Sequence, residues 1–255
     1  MALLRPDWEL PPGVHAFVTN RVGGASVAPY AAFNLAHHVG EDATAVERNR
    51  ALLRSELEKQ CHIPLQLQWL EQVHGTAVYE AKGLLVDPPP KADAACTAQP
   101  GVVLSVLTAD CLPVLFCSRD GKEIAVAHAG WRGLCNGVLE ATVGKFKSPA
   151  RDVRCWLGPA IGGCHFEVGS EVRDAFQMLS RQTYMANTLA AFKPAAQRGK
   201  WMADLYALAR VRLLTAGVTD VSGQSHCVVC DIDHYYSYRH QRVTGRFATG
   251  IVKVQ

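Results

Sequence analysis

The chain carries little charge and no low-complexity sequence. Only 19% of its residues are charged, its net charge is +3, and no dense Lys/Arg stripe is present. Nucleic acid is therefore not an expected partner. Long apolar runs are missing too: the longest, from Gly101 to Cys117, is interrupted by Thr108, Asp110 and Pro113, so no membrane-spanning helix is expected. The opening Met1-Ala2-Leu3-Leu4-Arg5-Pro6-Asp7 lacks the apolar core of a secretory leader. No linker, charge block or internal repeat divides the 255 residues. These absences leave one domain, residues 1–255, expected in the cytoplasm. A chain of this length buries roughly 70–75% of its extended surface, so its core needs no metal or disulfide support.

Sulfur and imidazole, by contrast, are abundant, with nine Cys and ten His. The odd cysteine count, and apolar settings such as Val114-Leu115-Phe116-Cys117, predict reduced, buried thiols rather than a disulfide framework.

Strand and helix patterns interleave from end to end. Strands are predicted over residues 14–19, 102–108, 113–118, 123–127 and 153–157, with Leu65, Leu67 and Trp69 alternating in a further half-buried strand. Helices are predicted over 43–59, 170–179 and 204–216, with Gly217 just past the last of these. One more should follow Gly130, placing Leu134, Val138, Thr142, Val143 and Phe146 on its inner stripe. Residues 181–200 show little periodicity and read as a surface excursion. This mixture predicts an α+β fold, a single compact domain with mixed β-sheets.

Three residues at the ends of apolar runs stand out as ligands: His74 in Gln72-Val73-His74-Gly75, Cys111 in Ala109-Asp110-Cys111-Leu112-Pro113, and His128 in His128-Ala129-Gly130-Trp131-Arg132-Gly133. Two imidazoles and one thiolate suit zinc and leave a fourth position open, as in a catalytic site. A second set of words, His165-Phe166-Glu167 and Cys227-Val228-Val229-Cys230, superficially matches a nucleobase-deaminase signature. The proline expected before the first cysteine is replaced by His226, so Cys227 and Cys230 are read as thiols near the C-terminal strand, unless metal analysis finds two zincs. Arg21 in a Gly-bearing turn, Arg132 at a predicted helix start and Arg239 after an aromatic word are the arginines placed where a guanidinium group could act.

These words run in order with others: Thr19-Asn20-Arg21-Val22-Gly23-Gly24, Asn34-Leu35-Ala36, Ala92-Asp93-Ala94, Leu157-Gly158-Pro159-Ala160, Tyr236-Ser237-Tyr238-Arg239 and Thr244-Gly245-Arg246. Together they resemble the laccase-domain, multicopper-oxidase-like family of purine nucleoside phosphorylases that includes the bacterial YfiH proteins. The resemblance implies mixed sheets packed between helices, similar to the cytotoxic necrotising factor type of cysteine hydrolase. It implies metal ligation by His74, Cys111 and His128, with Zn2+ expected and Cu2+ possible.

By the same resemblance the substrates are small purine nucleosides and phosphate. Adenosine, inosine and guanosine would be phosphorolysed, adenosine deaminated, and methylthioadenosine cleaved. Cys111, His128, His74 and Asp110 are then the catalytic candidates, and Arg21, Arg239 and Asn34 the phosphate or substrate binders. The chain departs from the family pattern at Cys164-His165-Phe166 and Arg239-His240. Three alternatives remain open from the residues: a cysteine amidase using Cys111 and His128, for instance on cell-wall precursors; a copper polyphenol oxidase; and a binding protein with structural zinc.

Overall fold

The computed structural model describes residues 3–255; Met1 and Ala2, the start of the stretch read for a leader, lie outside the described residues. In chain order the first strands are β1 (Leu3–Leu4), β2 (Val14–Thr19), β3 (Gln66–Gln68), β4 (Val78–Glu80) and β5 (Ala94–Thr97). They are followed by β6 (Val102–Thr108), β7 (Leu112–Ser118), β8 (Ile124–Ala129) and β9 (Val153–Leu157). The last five are β10 (Glu167–Gly169), β11 (Phe192–Pro194), β12 (Lys200–Ala203), β13 (Asp220–Ser222) and β14 (Phe247–Lys253). The α-helices are α1 (Ala43–Cys61), α2 (Trp131–Asn136), α3 (Val138–Val143), α4 (Ser170–Leu179), α5 (Met185–Ala190) and α6 (Leu205–Thr215).

Two mixed sheets, ordered β1-β2-β14-β6-β3 and β13-β9-β7-β8-β5-β4, form the centre, with a small third sheet β10-β12-β11. The two-residue strand period explains how they stack. In β6, Leu104 and Val106 join Leu115, Val126 and Ile251 in a core between the sheets. Val103 and Leu107 point the other way, onto Leu53 and Leu57 of α1. In β7, Leu112, Val114 and Phe116 face a third cluster with α2, α3, α4 and α6. The continuous apolar runs of the sequence are therefore strands buried on both faces, and β7–β8 is the expected antiparallel pair.

Several helix ends follow from local chemistry. Asp42 caps α1 by accepting from the Thr44 N–H, and Asp204 caps α6 by accepting from Tyr206 and Ala207. The helix expected after Gly130 is instead two short ones. Gly137, at φ +100°, ends α2 and starts α3, a left-handed break that favours glycine. The expected stripe survives the break, with Leu134, Val138 and Val143 buried and Phe146 packed beside them. Residues 181–200 also differ from expectation. They contain α5 and β11, and Phe192 is buried in the helix-side core. Elements of three to six residues are too short to show a period.

Candidate metal centre

The turn before β7 and the end of β8 are neighbours in an antiparallel pair, with Pro113 opposite His128. By strand parity, Cys111 and His128 both point toward the space between the two large sheets. Asp110, at φ +114°, turns the chain so that Cys111 enters the strand. His74 arrives from the loop after β3, itself at φ +60°. Its Nε2 lies 3.8 Å from the Cys111 sulfur, and the two imidazoles meet edge to face at 4.8 Å between centroids. One donor atom from each of His74, Cys111 and His128 falls within 4.8 Å of the others.

Asp93 organises this cluster. It is fully buried at the start of β5. Its Oδ2 accepts from the N–H groups of Val73 and Gly75, and its Oδ1 from the His74 N–H and from His128 Nδ1 at 2.8 Å. Binding His128 through Nδ1 leaves Nε2 for ligation, the arrangement that fixes tautomer and ring angle in metal sites. Burial pushes the Asp93 pKa up, but the His128 and backbone hydrogen bonds outweigh it and hold the carboxylate below its ordinary value.

Gly130 completes the fit by absence of a side chain. A Cβ there would stand 2.8 Å from His74 Cδ2 and 3.0 Å from the Cys111 sulfur. The donor set of two imidazoles and one thiolate, braced by a buried carboxylate, suits a zinc-type cation with one position open. With no cation bound, burial raises the Cys111 pKa, but the charge and hydrogen bond of His128, joined by His74, bring it down to about 6. Burial works against His128, yet Cys111 and Asp93 raise it to about 9.

The other expected residues fall around the cluster with different roles. Asp110 accepts from Ser237 Oγ and from the Arg239 N–H, each at 2.6 Å, so its carboxylate ties the 237–239 segment to the cysteine turn. Burial raises its pKa against those bonds. Arg239 donates from Nη1 to the carbonyls of His165 and Glu167. Arg21 braces two loops, donating to the carbonyls of Ala31 and Ile232 and stacking on Tyr236. Asn34 is fully buried. Its amide donates to Ala36 and Glu41 and accepts from the Ala36 and Arg246 N–H groups, so it supports the chain around Arg246 rather than presenting an amide to a ligand. Arg132 is exposed and lies over Trp131.

Residues that sequence reasoning passed over are Asp93, Arg246 and His38. Arg246 is half-buried, its pKa is lowered by desolvation, and the charges of Cys111 and Asp110 act in the opposite direction. His38 is pushed down by desolvation and then by Arg246 and Arg50, with a smaller contribution from His128. Asp93 and Arg246 already stood inside the quoted words Ala-Asp-Ala and Thr-Gly-Arg. Their chemistry was the available signal.

The chain is 49% identical over 248 residues to a Pseudomonas aeruginosa protein named purine nucleoside phosphorylase, with 97% of each covered. It is 45% identical over 252 residues to purine nucleoside phosphorylase YfiH of Escherichia coli, with 98% of each covered. A Neisseria meningitidis crystal structure superposes with TM-score 0.91 at 41% identity over 100% of both chains, and YlmD from Geobacillus stearothermophilus with 0.86 at 27%, over 100% of this chain and 97% of that one. The family model described as multi-copper polyphenol oxidoreductase laccase matches residues 15–253, and the chain belongs to that family, which here takes the form of a single α+β domain of the YfiH type.

Proposed function

We propose that the protein is a metal-dependent purine nucleoside phosphorylase acting at the His74–Cys111–His128 cluster. The observation that carries this reading is the convergence of three soft or borderline donors within 4.8 Å, with Asp93 orienting His128. The relatives named above as purine nucleoside phosphorylases supply the substrate class. Zinc, the proposed ion, would act at its open position as a Lewis acid and as a source of hydroxide near neutral pH. The laccase-type family name makes copper the ion to compare it with.

In phosphorolysis a phosphate oxygen attacks C1′ of the ribose as the bond to the purine nitrogen breaks, and the base leaves as ribose 1-phosphate forms. Positive charge builds on the sugar, so phosphate must be held close to C1′. Arg246 and Arg239 are the guanidinium groups proposed to hold it, with Asp110 positioning Arg239 through its backbone. Arg21 and Asn34 keep the loops that carry these groups in place. His74, Cys111 and His128 would hold the ion, with Asp93 fixing the ring of His128. Deamination of adenosine, with water as nucleophile and ammonia as leaving group, and cleavage of methylthioadenosine are proposed as further activities of the same cluster. The cytoplasm is the proposed compartment; no helix among the described residues is long and apolar enough to cross a membrane.

The test is to incubate metal-analysed protein with adenosine, with and without phosphate. Adenine and ribose 1-phosphate that require phosphate, and vanish in Cys111→Ala, support the reading. Free base, adenine or hypoxanthine, that forms equally without phosphate overturns phosphorolysis; inosine formed without phosphate is the deamination product.

A second reading, a cysteine hydrolase acting on amides such as cell-wall precursors, is favoured by the low Cys111 pKa beside a protonated His128. It requires activity that survives complete chelation and dies on alkylation of Cys111.

A further inference from the structure

The Cys-x-x-Cys word, expected to be ordinary thiols near the C-terminal strand, lies in a one-turn loop. The Cys230 and Asp231 N–H groups both donate to the Cys227 carbonyl. Facing it is a second tight turn in which His165 and Phe166 donate to the Gly162 carbonyl. A bridge between Ala160 and Cys227, with the Val228 N–H donating to the Ala160 carbonyl, joins the two turns. Donor atoms of Cys164, His165, Cys227 and Cys230 thereby come within 4.8 Å of one another.

The spacings discriminate between uses of these sulfurs. His165 Nδ1 lies 3.2 Å from the Cys164 sulfur, 3.4 Å from Cys227 and 3.6 Å from Cys230, and the Cys164 and Cys230 sulfurs are 3.8 Å apart. A tetrahedral zinc with ordinary bond lengths sets its sulfurs about 3.8 Å apart and sulfur to nitrogen about 3.6 Å. A disulfide would pull two sulfurs to about 2.05 Å and leave the third thiol and the imidazole without a role. Gly162 makes room for the arrangement: a Cβ there would lie 2.9 Å from Cys227 Cβ and 3.3 Å from the sulfurs of Cys164 and Cys227. Cys164 and Cys230 are exposed and Cys227 half-exposed, so the three sulfurs gather at the surface rather than within an apolar core.

We propose that Cys164, His165, Cys227 and Cys230 form a second metal site, a closed Cys3His centre for zinc, distinct from the three-ligand cluster at Cys111. Four protein donors leave no position for water, so this site is structural where the first is open. It also answers the deaminase-like pattern of the sequence, because Cys164 occupies the position that a reactive water would need. The ion clips the 162–167 turn to the 226–231 turn. The clipped turn in turn offers the His165 and Glu167 carbonyls that hold Arg239, and the Arg239 N–H donates to Asp110, the residue before Cys111.

Metal stoichiometry and cobalt spectroscopy on the full chain test this, under reducing conditions. Wild-type protein is expected to hold two zinc ions per chain, and the double variant Cys227→Ser, Cys230→Ser to lose one of them. Cys111→Ser leaves the four new ligands intact and removes the only thiolate of the first cluster. Reconstituted with cobalt, it should still bind one ion and show a strong thiolate-to-cobalt charge-transfer band. One zinc per wild-type chain that Cys111→Ser abolishes, or a Cys111→Ser protein without that band, overturns the site. Should the double variant fail to fold, the wild-type count and the Cys111→Ser spectrum still decide. None of these readouts depends on nucleoside turnover, so failure here and failure of the phosphorylase reading are separable.

Discussion

A single carboxylate oxygen, Asp93 Oδ1, meets His128 Nδ1 at 2.8 Å and accepts the backbone N–H of His74 at 2.9 Å. Asp93 thus orients one candidate ligand through its ring and the other through its main chain. Its second oxygen closes the same loop by accepting from Val73 and Gly75.

Replacing Asp93 with Asn keeps the shape but puts an NH2 group where at least one backbone N–H must be accepted. Metal affinity at the first cluster is expected to fall about 10–100-fold, the usual cost of losing such an outer partner. Competition with a chromophoric chelator measures it. Unchanged affinity would show that the carboxylate serves the fold alone.

Gly130→Ala places a methyl group against His74 and the Cys111 sulfur at 2.8–3.0 Å. The backbone there is ordinary, at φ −63°, so the chain should fold while the ligands are forced apart. Loss of about one metal equivalent per chain with little change in Tm is the expected result. Circular dichroism with metal analysis checks it, and retention of full metal content would contradict the geometry.

Arg246→Ala is expected to raise KM for phosphate by roughly 10–100-fold, the equivalent of one charge-assisted hydrogen bond worth about 1.5–3 kcal/mol. KM for the nucleoside should stay near its starting value. Equal increases in both constants would remove Arg246 from phosphate binding.

In metal-stripped protein, Cys111 is held near pKa 6 by His128 and His74 against its burial. The thiolate is the reactive form and predominates above that value. Alkylation of Cys111 should therefore rise through about pH 6 and level off, where a free thiol rises through about 8.5. Zinc should suppress the reaction across that range. A midpoint above pH 8 would mean that the thiolate–imidazolium pair does not form.

Much of the scaffold was legible in the sequence because its strands are regular. Val14–Thr19, Val102–Thr108 and Val153–Leu157 occur where periodicity and apolar runs put them, as do helices α4 and α6 to within a residue or two. Where the pattern is shorter than its own period, it carried no signal. The split at Gly137 depends on one left-handed residue, and α5 and β11 are brief segments recruited by the helix-side core.

His74, Cys111 and His128 were recognisable as ligand-type residues from the sequence, because their chemistry and neighbouring words are local, although His74 lies in the loop after β3 and not at the end of a strand. Their support was not. Asp93 is 35 residues from His128, and Cys164 is 66 residues from Cys230. Such pairs meet only when sheet register and the bridge at Ala160 bring separate turns together. The sequence determined which groups can bind a metal, through residue type and strand parity. Only the tertiary structure decided which of them lie close enough to share one, because proximity across tens of residues is set by packed sheets and closed loops rather than by any local pattern.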